Sequence, residues 1–326
     1  MSFQRYVNES SIPLSMAVFL ATDNYDYEEN VMSATSFLKS TRQLILSERV
    51  PEELRIIDIA GLGKSRIGSA IHDAIERAWL DNPQEAMKNL GYPEMIAKKI
   101  VVNPLPGELQ EGQIPVYLEQ RAYKDVMGTR VSGKFDFVAD GRVEDFKSTS
   151  TFTYTKGTKT NDYRIQGSIY RWLNPNIIKD DSMAIQFIFT DWSPAQAKSN
   201  PKYPSNQITT KLIPLMSIEE TDQFIKAKLF DLQRYKDSPE KDLPPCSDND
   251  LWRDAPQWKY YKNPEKTARS TKNFDNKQDA YIKLAEDGNK GIVKEVPGEV
   301  KACKYCAAYP ICTQKDEYIS DGSLQV

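Results

Sequence analysis

The sequence predicts an α/β fold, with a central mixed sheet flanked by helices. Three observations point to it. Strand-like runs follow one another between residues 116 and 148, and a short apolar run typical of a buried strand spans residues 183–190. Amphipathic helices are expected before and after these strands, at residues 65–80 and 218–235. Strands bracketed by helices are typical of an α/β or α+β core, and the α/β class is our prediction.

The individual elements follow from the spacing of apolar and capping residues. Residues 31–49 are expected to form a helix capped by Ser33 or Thr35, and Gly61 to Lys64 a loop. The remaining strands and helices are expected at residues 116–123, 128–139, 142–148, 161–173 (helix), 183–190, 207–215 and 218–235 (helix).

Length and composition restrict the kind of protein. The 326 residues suffice for one large domain or two smaller ones, and 40% hydrophobic residues with 17 tyrosines indicate a folded globular chain. No apolar run reaches the roughly 18 residues of a membrane span, and the first residues lack a signal-peptide core. We therefore expect a soluble cytoplasmic protein without a membrane partner. The net charge of −3 means that any DNA channel must be a local feature.

The composition changes after Asp237, where long apolar stretches become rare and proline, lysine and tyrosine become frequent. We therefore divide the chain into a core at residues 1–237 and an appended segment at 238–326. Three of the four cysteines lie in the last 24 residues, so the segment is expected to need a metal for stability.

An acidic hairpin is the strongest chemical signal. Asp140-Gly141 predicts a two-residue turn. Asp136 then faces Asp145 across the hairpin, and Lys147 lies on the same face as Asp145. Like charges that face each other are destabilising, and a Mg²⁺ or Mn²⁺ ion with oxygen ligands would neutralise them. The alternative is a solvated hairpin with scattered charges.

Further motifs accompany the hairpin in a fixed order over roughly residues 31–190. They are Met32-Ser33-Ala34-Thr35-Ser36-Phe37-Leu38, Gly68-Ser69-Ala70-Ile71-His72, Leu118-Glu119, Gly133-x-x-Asp136, Asp145-x-Lys147 and Gln166-x-x-x-Tyr170. This order and spacing resembles the RecB-type branch of the PD-(D/E)XK nuclease superfamily. The resemblance implies a restriction-endonuclease-like core and a stand-alone, phage-like, metal-dependent deoxyribonuclease in a bacterial or phage-infected cell.

The resemblance implies a role for each residue of the hairpin. Asp136 and Asp145 would be catalytic carboxylates and metal ligands, with the backbone carbonyl of Phe146 as a further ligand. Lys147 would be the catalytic lysine, which orients or helps to deprotonate a water or stabilises charge in the transition state.

The remaining implied site residues each have an alternative. His72, the only histidine, would be a metal ligand, or a hydrogen-bonded structural residue. Glu119 would complete the catalytic group through water, or be a surface glutamate. Gln166 and Tyr170 share a helical face and would contact the DNA backbone or brace the site, although Tyr170 could equally pack in the core. Arg164 would add a phosphate contact.

The cysteines form a second candidate metal site. Cys303-x2-Cys306-x5-Cys312 joins Cys246, and in a cytosolic protein this spacing indicates a metal site rather than disulfides. The triplet resembles that of iron–sulfur nucleases such as AddB and the CRISPR adaptation nucleases, which implies a 4Fe–4S cluster that clamps the C-terminal segment. Those proteins take their fourth cysteine from upstream of the nuclease motifs, which this chain does not. Zinc and free thiols are the alternatives.

Aromatic and basic residues interleave at 251–290, as on single-strand-binding surfaces, although a satellite hydrophobic cluster with solvated lysines fits equally.

The prediction for the whole protein is a Mg²⁺- or Mn²⁺-dependent exonuclease of DNA replication, recombination or repair. It would act on DNA with a free end or a single strand, with a replication or recombination protein as a candidate partner. The alternatives are an endonuclease with the same site, or a non-catalytic DNA-binding or assembly protein with a relic site.

Overall fold

The structure is a computed structural model that describes residues 5–22 and 28–325. Its chain divides into two compact units. The first, called here the sheet unit, contains residues 5–38 and Ile56–Phe230; the second, the cysteine unit, contains Lys39–Arg55 and the chain from Asp231 onward. The sequence-based division at residue 237 stays a prediction. Within the described residues, none of the helices has the length and apolar character needed to cross a membrane.

The described residues form strands and α-helices of widely different length. The strands are, in chain order, β1 (Arg5–Val7), β2 (Val31–Ser33), β3 (Ile56–Asp58), β4 (Ile100–Val102), β5 (Ile114–Val126), β6 (Thr129–Ala139), β7 (Arg142–Thr149), β8 (Ser182–Phe189), β9 (Ile208–Pro214), β10 (Gln257–Tyr261), β11 (Lys272–Phe274) and β12 (Ile292–Val296). The α-helices are α1 (Leu14–Ala21), α2 (Thr41–Arg49), α3 (Gly63–Asp81), α4 (Pro83–Asn89), α5 (Glu94–Ala97), α6 (Thr151–Lys156), α7 (Thr160–Leu173), α8 (Pro194–Ser199), α9 (Ile218–Tyr235), α10 (Lys277–Glu286) and α11 (Gln314–Ser320).

The sheet unit is built on one mixed sheet. Its strand order is β4-β5-β6-β7-β8-β9, and β2 pairs with β6 beside this path. The neighbours β5–β6, β6–β7 and β8–β9 are antiparallel, whereas β2–β6, β4–β5 and β7–β8 are parallel. Helices α3 and α7 pack against this sheet. The predicted α/β class, with a central mixed sheet flanked by helices, is confirmed.

The largest core of the sheet unit is made by the sheet and α7. Trp172, Ile169, Phe135 and Phe187 are almost completely buried there. Burying one such side chain stabilises a fold by about 1.5–3 kcal/mol, so this core fixes α7 against the strands.

Strand β6 changes its neighbour along one edge. Strand β7 pairs with residues 137–139, and β2 pairs with residues 130–132. Within the described residues, the segment 133–136 between them has no strand partner on that edge. Gly133 lies in this gap, where a Cβ would come within 2.8 Å of Leu173 Cδ1 and 3.0 Å of Tyr170 Cδ1. The absence of a side chain at Gly133 therefore allows α7 to lie close to the gap.

Most predicted elements are confirmed, and two are wrong. The loop expected at Gly61 to Lys64 is helical, because Ile59–Leu62 form a 3-10 helix and α3 begins at Gly63. The helices expected at 65–80, 161–173 and 218–235 correspond to α3, α7 and α9. The helix expected at 31–49 is wrong over its first ten residues, because residues 31–33 form β2 and α2 begins only at Thr41. Its cap is Ser40, whose side chain accepts a hydrogen bond from the Gln43 backbone N–H at 3.0 Å.

The cysteine unit has its own small sheet, in the order β11-β10-β12, with α10 packed against it. The sequence did not predict this sheet. Two buried clusters complete the unit, one around Ile45, Leu46, Leu243 and Ala308, the other around Leu251, Val300, Tyr318 and Leu324.

Candidate metal centre

The acidic hairpin forms with the predicted turn. Asp140 and Gly141 have φ values of 50° and 76°, the left-handed pair of a type I′ turn. Val138 pairs with Val143 and Phe137 with Glu144, which is the predicted register. The ladder between β6 and β7 ends there, while the other edge of β7 stays paired with β8 as far as Thr149. Asp136 and Asp145 are therefore not a ladder pair. Oδ2 of Asp136 accepts a hydrogen bond from the Phe146 backbone N–H at 2.9 Å.

Asp145 is a fully buried carboxylate with an unsatisfied oxygen. Its side chain is 0% exposed. Lys147 Nζ lies 2.5 Å from Asp145 Oδ2, and Oδ1 accepts no hydrogen bond from any described residue. A buried carboxylate oxygen without a partner costs free energy unless a cation or a water binds it.

Asp136 has a strongly perturbed acidity. Burial and the negative charge of Asp145 raise the pKa of Asp136 to about 7, against the opposing charges of His72 and Lys147. Two carboxylates in one dry site cannot both ionise easily without a further positive charge. The site thus carries an excess of negative charge that a divalent cation would offset.

His72 lies on α3 and faces the carboxylates of Asp136 and Glu119 and the Phe146 carbonyl. Its Nε2 is 2.9 Å from the Phe146 carbonyl oxygen, and its Nδ1 is 3.5 Å from Asp136 Oδ2. Burial alone would lower the pKa of His72, but the neighbouring carboxylates of Glu119 and Asp136 raise it to about 9. Ligand atoms of His72, Glu119 and Asp136 all lie within 4.8 Å of one another. Both predicted roles of His72, metal ligand and hydrogen-bonded residue, stay compatible with this position.

Glu119 enters the site through a kink in β5. Its φ is 50°, in the left-handed region that non-glycine residues rarely adopt, although the ladder on either side of it keeps one register. Asn103 Oδ1 accepts hydrogen bonds from the Leu118 backbone N–H at 2.8 Å and from Gln120 Nε2 at 3.2 Å. Asn103 therefore holds the residues on both sides of the kink. Strained backbone of this kind is concentrated at functional sites.

Two residues around Glu119 were not predicted. Lys134 Nζ lies 2.6 Å from Glu119 Oε2 and fixes that oxygen. Lys134 is the first x of the Gly133-x-x-Asp136 motif, two residues before Asp136, so the motif could have pointed to it. No local pattern marks Asn103, since its contact with β5 depends on the pairing of β4 and β5.

Lys147 is half-buried and forms its ion pair with Asp145. Burial would lower the pKa of Lys147, but the charges of Asp145 and Asp136 keep it above the ordinary lysine value. The Nζ atom also lies 5.8 Å from the centre of the Tyr163 ring. In this state Lys147 is a cation, which suits the stabilisation of negative charge better than the removal of a proton.

The α7 residues lie behind the site. Gln166 Nε2 donates to Tyr170 Oη at 2.6 Å, and both side chains are buried. Burial, followed by the charges of Asp145 and Asp136, raises the pKa of Tyr170 well above its usual range. This arrangement suits the predicted bracing role. The DNA contacts predicted for Gln166, Tyr170 and the partly buried Arg164 stay predictions.

The donor set fits a divalent cation. Magnesium and manganese take oxygen-rich octahedral sites, and neighbouring ligand atoms at about 2.1 Å from such an ion lie about 3.0 Å apart. The group of His72, Glu119 and Asp136, whose ligand atoms lie within 4.8 Å of one another, is compact enough for such a site. Together with the unsatisfied oxygen of Asp145, it makes His72, Asp136, Asp145 and the Phe146 carbonyl the residues that could hold the ion, with Glu119 beside them.

The four cysteines line one pocket in the cysteine unit, with about 350 Å³ of empty space that is partly open to solvent. Burial, with the neighbouring thiols, raises the pKa of Cys303 to about 11. Over the described chain, no three cysteine sulfurs lie within 4.8 Å of one another. Zinc–sulfur bonds of about 2.3 Å place tetrahedral thiolates about 3.8 Å apart, so this spacing is wider than that of a zinc quartet.

Comparisons with known proteins give weak structural likenesses. No family model and no curated protein matches the chain. The crystal structure of SSO0001 is similar with a TM-score of 0.41 and 14% identity, over 70% of this chain and 89% of that chain. A phage-related exonuclease from Haemophilus somnus 129PT is similar with a TM-score of 0.27 and 16% identity, over 63% of this chain and 93% of that chain. Neither likeness identifies the residues of the site.

Proposed function

We propose that this protein is a Mg²⁺- or Mn²⁺-dependent deoxyribonuclease that hydrolyses phosphodiester bonds, acting as an exonuclease on DNA with a free end. One observation carries the proposal. The buried Asp145 carboxylate has an oxygen without a partner, and it lies beside Lys147 at the gap in β6 that also holds Asp136. A structural ion pair would not require the second buried acid or the neighbouring imidazole.

The roles of the residues follow from their positions. His72, Asp136, Asp145 and the Phe146 carbonyl would hold the ion, which when bound supplies Lewis acidity toward the phosphoryl group and lowers the pKa of a bound water. Lys147 Nζ stabilises the charge that develops on the phosphoryl oxygens. Glu119 is held by Lys134 on Oε2, which leaves Oε1, 3.9 Å from His72 Nδ1, to orient a water or accept its proton.

The proposed reaction is the hydrolysis of one phosphodiester bond by water. The water oxygen bonds to phosphorus and the bond from phosphorus to the leaving sugar oxygen breaks. One water proton is lost to the site or to solvent, and the leaving oxygen gains a proton. No oxidant or further reactant is needed.

The test compares linear and covalently closed circular DNA of the same sequence in Mn²⁺. We expect the parent protein to degrade linear DNA and to leave closed circles intact. Asp145→Ala and Lys147→Ala proteins should lose this activity by at least about a hundredfold. If these variants digest DNA as fast as the parent, the site assignment is wrong. Equal degradation of circles would leave an endonuclease, and no metal-dependent degradation would leave a DNA-binding protein with a relic site.

At the cysteines we propose a 4Fe–4S cluster with a structural role, bound by Cys246, Cys303, Cys306 and Cys312. The shared pocket and the wide sulfur spacing support it, since each thiolate of a cluster binds a different iron. Anaerobically purified protein should show broad visible absorption, with equal amounts of iron and acid-labile sulfide. Colourless protein with one bound zinc would contradict the cluster.

A further inference from the structure

A strongly basic hairpin projects from the small sheet of the cysteine unit. This basic hairpin comprises β10, β11 and the ten residues between them, residues 257–274. It holds five cations and one acid, Glu265, a net charge of +4 within a chain of net charge −3. The cations are Lys259, Lys262, Lys266, Arg269 and Lys272.

None of these five cations forms an ion pair with a carboxylate of the described residues. Four of them are exposed, and Lys259 is half-buried. Some other lysines of the same unit are paired, since Lys283, Lys301, Lys304 and Lys315 each lie within 3.5 Å of a carboxylate oxygen. Lys241, Lys277 and Lys290 are exposed and, like the hairpin cations, form no ion pair with a described carboxylate. The hairpin is therefore distinguished by its concentration of five such cations within 18 residues.

Two lysines face each other across the sheet. Lys259 on β10 is directly opposite Lys294 on β12, and Asn273 of β11 is its partner on the other side. Like charges in directly opposite positions are destabilising. Tyr260 lies on the other face, where its hydroxyl donates to Asp287 at the end of α10 at 2.8 Å. By alternation, Lys259 and Lys294 therefore point to the face away from Tyr260.

The tyrosines of the hairpin are not free to stack on bases, because Tyr260 is 0% exposed and Tyr261 is 7% exposed. The half-buried Trp258 and its ladder partner Phe274, also half-buried, share the face of Tyr260, away from Lys259. The ligand is thus one that presents regularly spaced negative charge and needs no base contact. A phosphodiester backbone has this chemistry, and single and double strands both present it.

We propose that the basic hairpin, with Lys294 beside it, is a second nucleic-acid-binding surface that contacts the sugar-phosphate backbone without reading sequence. The choice of nucleic acid over another polyanion rests on the proposed deoxyribonuclease function. The surface lies wholly within the cysteine unit, so its residues are separate from those of the metal centre in the sheet unit.

The test is a binding titration in EDTA, in which no cleavage occurs. Full-length protein is titrated into a fluorescein-labelled 30-nucleotide strand, and separately into its duplex, at several salt concentrations. The triple variant Lys262→Gln/Lys266→Gln/Arg269→Gln is compared with the parent protein. The matched control is Lys283→Gln/Lys301→Gln/Lys304→Gln, which removes the same charge from the same unit. Thermal unfolding of all three proteins checks the fold.

For single strands, the hairpin variant should reduce the slope of log affinity against log salt by about 2, because each lost phosphate contact accounts for roughly 0.7. Its affinity at moderate salt should fall at least about tenfold, while the control should stay within about twofold of the parent. Equal affinity and slope in the parent and the hairpin variant would overturn the proposal, as would an equal loss in both variants. Equally tight hairpin-dependent binding of polyglutamate would assign the surface to acidic proteins instead.

This result is independent of the nuclease test. Hairpin-dependent binding without metal-dependent cleavage would refute the proposed nuclease and leave the surface standing. Cleavage at the parent rate with unchanged binding by the hairpin variant would refute only the surface.

Discussion

Glu119 and Asp136 lie opposite each other by the register of β5 and β6, at the position where the ladder skips a pair, and both have a carboxylate oxygen within 4 Å of His72 Nδ1. The left-handed φ of Glu119 marks the point where β5 departs from regular strand geometry. Asp136 lies at the end of the gap that opens when β7 leaves β6. The left-handed residue in β5 and the gap beside β6 thus bring two carboxylates to the His72 imidazole. Local backbone strain of this kind is typical of a functional site, here a site for a cation.

Replacing Asp136 with asparagine should stabilise the metal-free protein. A raised acid pKa means that the folded state holds its proton up to about pH 7, whereas the unfolded state loses it near pH 4. Stability therefore falls as pH rises through this window in the parent protein. Asp136→Asn removes that loss and should raise the free energy of unfolding at pH 8 by about 1–3 kcal/mol. In thermal unfolding in EDTA, the stability difference between Asp136→Asn and the parent should shrink as the pH is lowered toward 5. A variant that is less stable than the parent at pH 8 would contradict this prediction.

Manganese affinity should rise with pH. The ion displaces protons from Asp136, with a pKa of about 7, and from His72, with a pKa of about 9. The dissociation constant should fall about tenfold per pH unit between pH 7 and 9, and more steeply below pH 7. Electron paramagnetic resonance of free Mn²⁺ measures this dissociation constant at each pH. His72→Gln should flatten the dependence between pH 7 and 9, and a flat profile in the parent would argue against these ligands.

Asn103→Ala should weaken metal binding although Asn103 is not a ligand. Its Oδ1 holds the Leu118 N–H and the Gln120 side chain on both sides of Glu119. Glu119 lies in the group of His72, Glu119 and Asp136 whose ligand atoms are within 4.8 Å of one another, so its displacement should disturb the residues that hold the ion. Loss of an outer contact of this kind typically costs about 10–100-fold in metal affinity or activity. The control is Asn82→Ala, which removes the cap of α4 and should leave the Mn²⁺ titration unchanged. Equal effects of the two variants on Mn²⁺ affinity would show that Asn103 has only a general structural role.

Gly133→Ala should destabilise the sheet unit. The new methyl would meet Leu173 and Tyr170 at 3.0 Å or less, and both are held by the core. Overpacking of this kind costs about 1–3 kcal/mol. Gly61→Ala, which meets no atom within 4 Å, is the matched control. Urea unfolding should separate the two variants, and indistinguishable midpoints would mean that α7 can move away from the strand.

The turn of the acidic hairpin between β6 and β7 was predictable because its sequence signals are local. Asp140-Gly141 fixes the turn, and alternation then places Val138 against Val143. The same rule failed one step later, where it made Asp136 and Asp145 a ladder pair. The ladder between β6 and β7 ends at the pair Phe137 and Glu144, and no local pattern encodes that end.

Other features depend on contacts between distant segments. Residues 31–33 have apolar character that fits a helix, but their partner is residues 130–132 of β6, about a hundred positions away. The support of Glu119 by Asn103 and the unpaired state of the basic hairpin are likewise tertiary facts. Residue types and their order along the chain were sufficient to suggest the metal site, but not the contacts that hold it.

The most direct test of the central claim is the rate of Mn²⁺-dependent cleavage of end-labelled linear DNA by Asp145→Asn. The matched control is Asp222→Asn, an aspartate of the same unit that bonds to Trp172 and Lys226. We expect Asp145→Asn to lose at least about a hundredfold in rate, because the buried oxygen that would bind the ion is replaced. Asp222→Asn should retain the parent rate. An Asp145→Asn protein that cleaves at the parent rate would show that this centre does not hydrolyse DNA.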